Sequence, residues 1–238
     1  MRTNIINEYV LELVQETSME LVKIYHNKPI RKTLLRFSNY RNGNQRISEQ
    51  EMRFVFATLH GKFSHPGLTY SIETPTKEEY SFSGKEKRSA ASDFSFYDDN
   101  NNSKPIINIE FKAHNIEQSA VDKDIEKLIS EKTNGAWIHV FENENSGTVE
   151  TLFDKFKNAF EKFPKSNKSI SFHILILRTG TLLSRKGYDN EITDLENRFN
   201  IHYEMWKDLK VGSYQFINGK PTTENNPQED WQIIKFEI

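Results

Sequence analysis

The chain has 238 residues, enough for one large domain or two small ones, and 36% of them are hydrophobic. Lys plus Arg (32) nearly balances Asp plus Glu (34), for a net charge of −2, which excludes a polybasic, histone-like protein but leaves room for a local basic face. Cysteine is absent, so a disulfide scaffold, a Cys-ligated zinc site, an iron–sulfur cluster and a thiol nucleophile are all excluded.

No apolar run approaches the ~20 residues that span a bilayer. Met1-Arg2-Thr3-Asn4 leads into charged helical sequence without a signal-peptide core. A cytoplasmic protein with no membrane contact is expected.

Ile6, Tyr9, Val10, Leu13, Val14, Leu21 and Ile24 recur at three- and four-residue steps and predict a first helix ending near Tyr25. From position 21 to 48 there is no acidic residue, but Lys23, Lys28, Arg31, Lys32, Arg36, Arg41 and Arg46 are all present. Such a run faces either a large anion, nucleic acid being the commonest, or solvent and acids distant in sequence.

Ser48 with Glu51 three residues on is a capping box, and Met52, Val55, Phe56 and Leu59 carry a second helix to about Gly61. Residues 68–74, 90–98 and 105–113 then read as strands, the last two joined by a polar turn as a hairpin. Asn115 and Gln118 suggest another capping box before a helix striped by Val121, Ile125, Leu128 and Ile129. A strand over 135–141, a helix over 149–163 and a strongly apolar strand over 169–177 follow. In the tail, 191–199 reads as a short helix. Residues 213–217 and 231–238 read as strands, with Asn218-Gly219 the strongest turn signal, predicting a C-terminal β-hairpin.

Three charged residues stand inside otherwise apolar strands. Asp93 lies within the second strand, and Glu110 and Lys112 share one face of the third. Charges so placed are costly unless paired or metal-bound. Neighbouring strands would bring Asp93 to Glu110, and a divalent cation relieves the repulsion of two such carboxylates. Oxygen ligands suit magnesium or manganese. The competing reading is an exposed edge strand whose Glu and Lys pair with neighbours.

Asp93 followed by Glu110-Phe111-Lys112, in this order of elements, resembles the PD-(D/E)xK nuclease superfamily, the restriction-endonuclease-like fold. The resemblance covers about residues 48–177. It implies an α/β fold with an α-β-β-β-α-β core. The central mixed sheet would be flanked by helices, with an N-terminal helical extension (1–47) and a C-terminal extension (178–238) in one domain. It also implies that Asp93 and Glu110 are metal ligands, that the Phe111 carbonyl is a further one, and that Lys112 is the catalytic lysine. The acid that many members carry on the preceding helix corresponds to Glu51, with Glu49 as the alternative. Glu51 also has its plain capping reading. Ser92, where the motif has proline, departs from the pattern. Gln118 and His114 are further polar candidates beside the motif.

The expected function is therefore a Mg2+- or Mn2+-dependent nuclease acting on DNA in restriction or defence. Lys28, Arg31, Lys32 and Arg36 would hold phosphates without reading sequence. The resemblance allows a homodimer. The rivals are a catalytically silent nucleic-acid-binding module of the same fold and a scaffold that binds an acidic partner.

Overall fold

The computed structural model describes residues 2–63, 67–80, 88–99, 104–131, 133–143, 148–163, 169–185, 215–217, 220–222, 231–236 and 238. The elements in chain order are α1 (Arg2–Tyr25), α2 (Glu49–Phe63), β1 (Leu68–Tyr80), β2 (Arg88–Asp98), β3 (Ile107–Ala113), α3 (Gln118–Ser130), β4 (Asn134–Phe141), α4 (Thr148–Lys162), β5 (Ile170–Ile176), β6 (Thr181–Arg185), β7 (Gln215–Ile217), β8 (Lys220–Thr222) and β9 (Trp231–Lys235).

Seven strands form one mixed sheet in the order β1-β2-β3-β4-β5-β6-β9. β1, β2 and β3 are an antiparallel meander, β3, β4 and β5 are parallel, and β6 and β9 return antiparallel. Parallel neighbours need a crossover, which α3 and α4 provide. α1 and α2 cover one face, where Val10, Leu13, Val55 and Phe56 meet Phe94, Ile109, Phe111 and Ile138. α3 and α4 cover the other, where Val121, Ile125, Leu152 and Phe156 meet Trp137, Phe172 and Ile174. With helices on both sides, β4 and β5 are buried at every position, which is why both read as continuous apolar runs. No helix among the described residues is long and apolar enough to cross a membrane.

Of the segments outside 48–177, α1, β6 and β9 belong to this body. α1 contributes Ile6, Val10, Leu13, Val14, Leu21 and Ile24 to the core, and β6 and β9 widen the sheet.

Several boundaries differ from expectation. β1 runs on past Pro75, where the pairing with β2 shifts register. An edge strand tolerates proline because an outward N–H has no ladder partner to lose. α2 continues through Gly61 to Phe63. The Asn115–Gln118 capping box does not form: the N-cap of α3 is Glu117, without a side-chain cap bond. Gln118 Nε2 instead donates to Asp122 Oδ1 at 2.7 Å and to the Lys155 carbonyl at 2.9 Å.

β6 was not expected. It follows β5 after a short turn at Gly180, whose φ of +59° suits glycine and where a Cβ would lie 3.0 Å from the Phe236 carbonyl oxygen. β9 pairs with β6, while β7 pairs with β8 across positions 218–219. The C-terminal hairpin is thus 215–222, and 231–235 belongs to the main sheet. The helix expected over 191–199 lies outside the described residues.

Candidate active site

β2 and β3 pair through Phe96–Ile107, Ser95–Asn108 and Phe94–Ile109, and the ladder stops there. One step further Asp93 would stand opposite Glu110. At that point the Phe111 N–H donates to Asp93 Oδ2 at 2.8 Å, so a side-chain oxygen takes the place of a ladder carbonyl. Phe111 itself points into the core under α2, which leaves Glu110 and Lys112 on the face towards α3. On β1 the residue beside Asp93 is Glu73, held at φ +54°, between the Ile72–Phe94 and Thr74–Ser92 pairs. A non-glycine residue in this region stores about 1–3 kcal/mol of strain.

Helices close the site from two sides. From α2, Arg53 places one guanidinium nitrogen 2.8 Å from Asp93 Oδ1 and another 2.5 Å from Glu73 Oε1. From α3, Asp124 holds two lysines, with Oδ2 2.9 Å from Lys112 Nζ and Oδ1 2.8 Å from Lys127 Nζ. Lys127 Nζ also lies 2.8 Å from Glu110 Oε1 and donates to the Ala91 carbonyl at 2.9 Å. Lys112 Nζ lies 3.8 Å from Asp93 Oδ2. Carboxylates and cations thus alternate from Glu73 through Arg53, Asp93, Lys112, Asp124 and Lys127 to Glu110.

Burial sets the charge states. Glu110 is fully buried, and its pKa is pushed up to about 8 by that burial and then by the Asp124 charge, against the pull of Lys127. Burial acts against the charge of Lys112, but Asp124, Asp93 and Glu110 outweigh it and hold the ammonium above its ordinary range. Lys127 is raised for the same reason, by Glu110 and Asp124. Asp124 is lowered, since Lys112 and Lys127 overcome its burial. Glu49 is raised by burial, and Lys112, Asp93 and Asp124 are among the charges it feels.

Asp93, Glu110, Phe111 and Lys112 are thus brought together. Glu51 stands apart from them: Ser48 Oγ donates to its Oε2, and Arg46 lies 3.2 Å from its Oε1. Its carboxylate is taken up by Ser48 and Arg46, and Glu49 is the α2 acid that faces the cluster. His114, at φ +61°, places Nε2 2.6 Å from the Ile47 carbonyl oxygen, which ties β3 to the segment before α2. Its own carbonyl accepts from His139 Nε2 at 2.7 Å. His139 stands beside Lys112 across the β3–β4 ladder, and burial lowers its pKa to about 3.

Arg53, Asp124 and Lys127 were not read from the sequence. The signal for the last two was present: both fall on the apolar stripe of α3 with Val121, Ile125 and Leu128, where a charged residue needs a buried partner.

The basic stretch lies between α1 and α2. Lys32 is neutralised by Glu16 and sits 5.0 Å over the Phe63 ring. Arg31 and Arg36 are exposed and Lys28 is half-buried, and none of the three has an ion pair among the described residues. The Glu20 carboxylate pins the segment, accepting from the Lys32 N–H at 2.8 Å, the Thr33 N–H at 2.6 Å and Thr33 Oγ1 at 2.8 Å.

Among the described residues no group of three or more His, Asp or Glu side chains is arranged to hold a metal ion. The smaller donor set of Asp93, Glu110 and the Phe111 carbonyl is compatible with one. Glu110 Oε2 is buried with no hydrogen-bond partner among the described residues, so one lone-pair donor is unused. The donors are hard oxygens, and a magnesium ion takes one or two protein carboxylates, with water and phosphate completing its shell. Comparison with family models, with curated proteins and with solved structures returned no match.

Proposed function

We propose that the protein is a divalent-metal-dependent nuclease of restriction-endonuclease-like fold that hydrolyses phosphodiester bonds of DNA, in restriction or defence against foreign DNA. The observation that carries this reading is the convergence of Asp93, Glu110 and Lys112 where β2 and β3 part, near the C-terminal end of a parallel strand. The order α2-β1-β2-β3-α3-β4 supports the same fold. Asp93, Glu110 and the Phe111 carbonyl would hold Mg2+ or Mn2+. The bound ion supplies a nucleophilic water and neutralises charge on the phosphate.

The residues have separable tasks. Lys112 is held as an ammonium, so its part is to attract the phosphate and orient a water, with no proton taken up. Asp124 fixes Lys112 from behind and keeps it from lying wholly on Asp93. Lys127 offsets Glu110 within the core. Arg31 and Arg36 supply exposed positive charge for the polyanion.

A second reading follows from the same ion pairs. Each acid of the cluster already has a cationic partner, as in a structural network that holds a binding module together. Incubation with plasmid, linear and single-stranded DNA and with RNA, in magnesium or in EDTA, separates the two. Cleavage in magnesium alone is expected, with Asp93→Ala and Glu110→Ala each removing most of it while circular dichroism stays unchanged. Binding without cleavage under every condition favours the silent module, and full activity in either variant overturns the site.

A further inference from the structure

A pocket of about 330 Å3 lies between α2 and the exposed edge strand β1, lined by Gln50, Arg53, Phe54, Thr58, Tyr70 and Ile72. Its size is near the lower end of about 300–1,000 Å3 for ligand sites, which suits one small planar group. Three of its apolar side chains are open to solvent: Phe54 is 56% exposed, Tyr70 44% and Ile72 47%. The Tyr70 ring cannot fold inwards, because it is stacked on buried Phe94 at 4.9 Å and 10° and meets the edge of His60 at 5.4 Å. It is a flat aromatic wall backed by the core. The pocket also shares Arg53 with the candidate centre, where the same guanidinium holds Asp93 Oδ1.

From this arrangement we infer that the pocket receives one unpaired nucleobase of the substrate strand, next to the phosphate presented to Asp93. The inference rests on the nuclease reading and narrows its substrate class to DNA with a single-stranded nucleotide at the cut. Phe54 and Tyr70 provide the aromatic surface that a base stacks on, and stacking accepts any base because each has a π-face. Arg53, already paired with Asp93 and Glu73, joins the wall of the pocket to the candidate centre. Gln50 and Thr58 supply polar groups at the rim. A base paired within a duplex cannot enter such a pocket without leaving the stack.

The test measures binding in EDTA, so that no strand is cut. The probes are a fluorescein-labelled thymidine oligonucleotide, a blunt duplex of equal length, and a single strand carrying one 2-aminopurine. The wild-type protein is expected to bind the single strand more tightly than the duplex and to change the 2-aminopurine emission. Phe54→Ala, at an exposed position, should weaken single-strand binding about tenfold, leave duplex binding unchanged and abolish the emission change. Ile72→Asp, which brings a carboxylate to the pocket, should do the same.

Unchanged single-strand affinity in both variants overturns the inference, as does an equal loss on single strand and duplex. The two readings fail separately. Magnesium-dependent cleavage without dependence of binding on Phe54 removes the pocket and keeps the nuclease. Single-strand binding that depends on Phe54, with no cleavage in any metal, removes the nuclease and keeps the pocket. A wild-type protein that binds no nucleic acid overturns both.

Discussion

Lys127 is buried and Lys112 half-buried, both on carboxylates, yet they should answer differently to substitution. Lys112 sits between Asp93 and Asp124, and its proposed work is at the reacting phosphate. Lys112→Ala should therefore lower turnover far more than DNA affinity, read as kcat against binding in EDTA; an equal loss in both would make it a plain phosphate contact. Lys127 is 3% exposed and lies on Glu110, which is wholly buried. Lys127→Ala takes a cation from both Glu110 and Asp124; Glu110, whose pKa is already raised, then holds its proton, so the loss stays below the about 3–5 kcal/mol of a bare buried charge. Urea unfolding should show this loss, with Lys112→Ala much milder. At this scale the sequence makes Asp93, Glu110 and Lys112 legible, because a charge inside an apolar strand is conspicuous. It leaves the α2 acid undecided. Glu49 and Arg53 are four apart and share a helix face, whereas Glu51, two residues from Glu49, points well away from it. The capping-box pattern marks Glu51 without saying that the Ser48 hydroxyl and Arg46 use up its carboxylate.

Elements follow from the period of their apolar residues where tertiary context does not intervene. α1, α4, β4 and β5 lie close to where periodicity puts them, since each has a continuous buried stripe or run. β1 is longer than its pattern implies because an edge strand accepts Pro75 and a register shift. β6 is short, and only its place between β5 and β9 makes it a strand. The segment between α1 and α2 has no helix or strand to read beyond a single Asn39–Gln45 bridge, and its first part is held by a buried contact with Glu20 from the preceding helix. Its cations are consequently unequal. Lys32 is already paired, so Arg31 and Arg36 are the proper test. Arg31→Glu with Arg36→Glu should weaken binding to every DNA sequence alike and reduce the slope of log affinity on log salt by about 0.9 per lost duplex contact. Turnover at saturating DNA should survive. An unchanged slope would show that these arginines face solvent or a protein partner.

At the scale of the whole molecule, the mixed sheet between two helical layers buries polar groups that must stay neutral. His139 and His173 lie on opposite faces of it. His173 Nδ1 is 2.8 Å from Ser184 Oγ and its Nε2 is 3.1 Å from Ser171 Oγ. Burial lowers the pKa of each ring to about 3, from an ordinary value of 6.5. Below pH 6.5 the unfolded chain takes up protons that the folded rings refuse, so the rings' contribution to stability falls as pH falls, until they themselves titrate near 3, while Glu110, raised from 4.5 to about 8, acts in the opposite sense between those two values. Each ring adds about 1.4 kcal/mol of loss per pH unit within its own window. Asp124 adds to it only near and below its ordinary value of 3.8, since its lowered pKa makes the folded state hold a carboxylate that the unfolded chain protonates first. His173 is remote from the β2–β3 site, whereas His139 is bonded to the His114 carbonyl beside it, so His173 is the cleaner probe. His173→Gln keeps a polar group between the two serines and removes the ring. Its unfolding free energy, measured in urea from pH 7 to 4, should fall less steeply than wild type by about one proton's share of the slope. Parallel curves would mean that the ring titrates normally in the folded protein and that water reaches the sheet beneath α1.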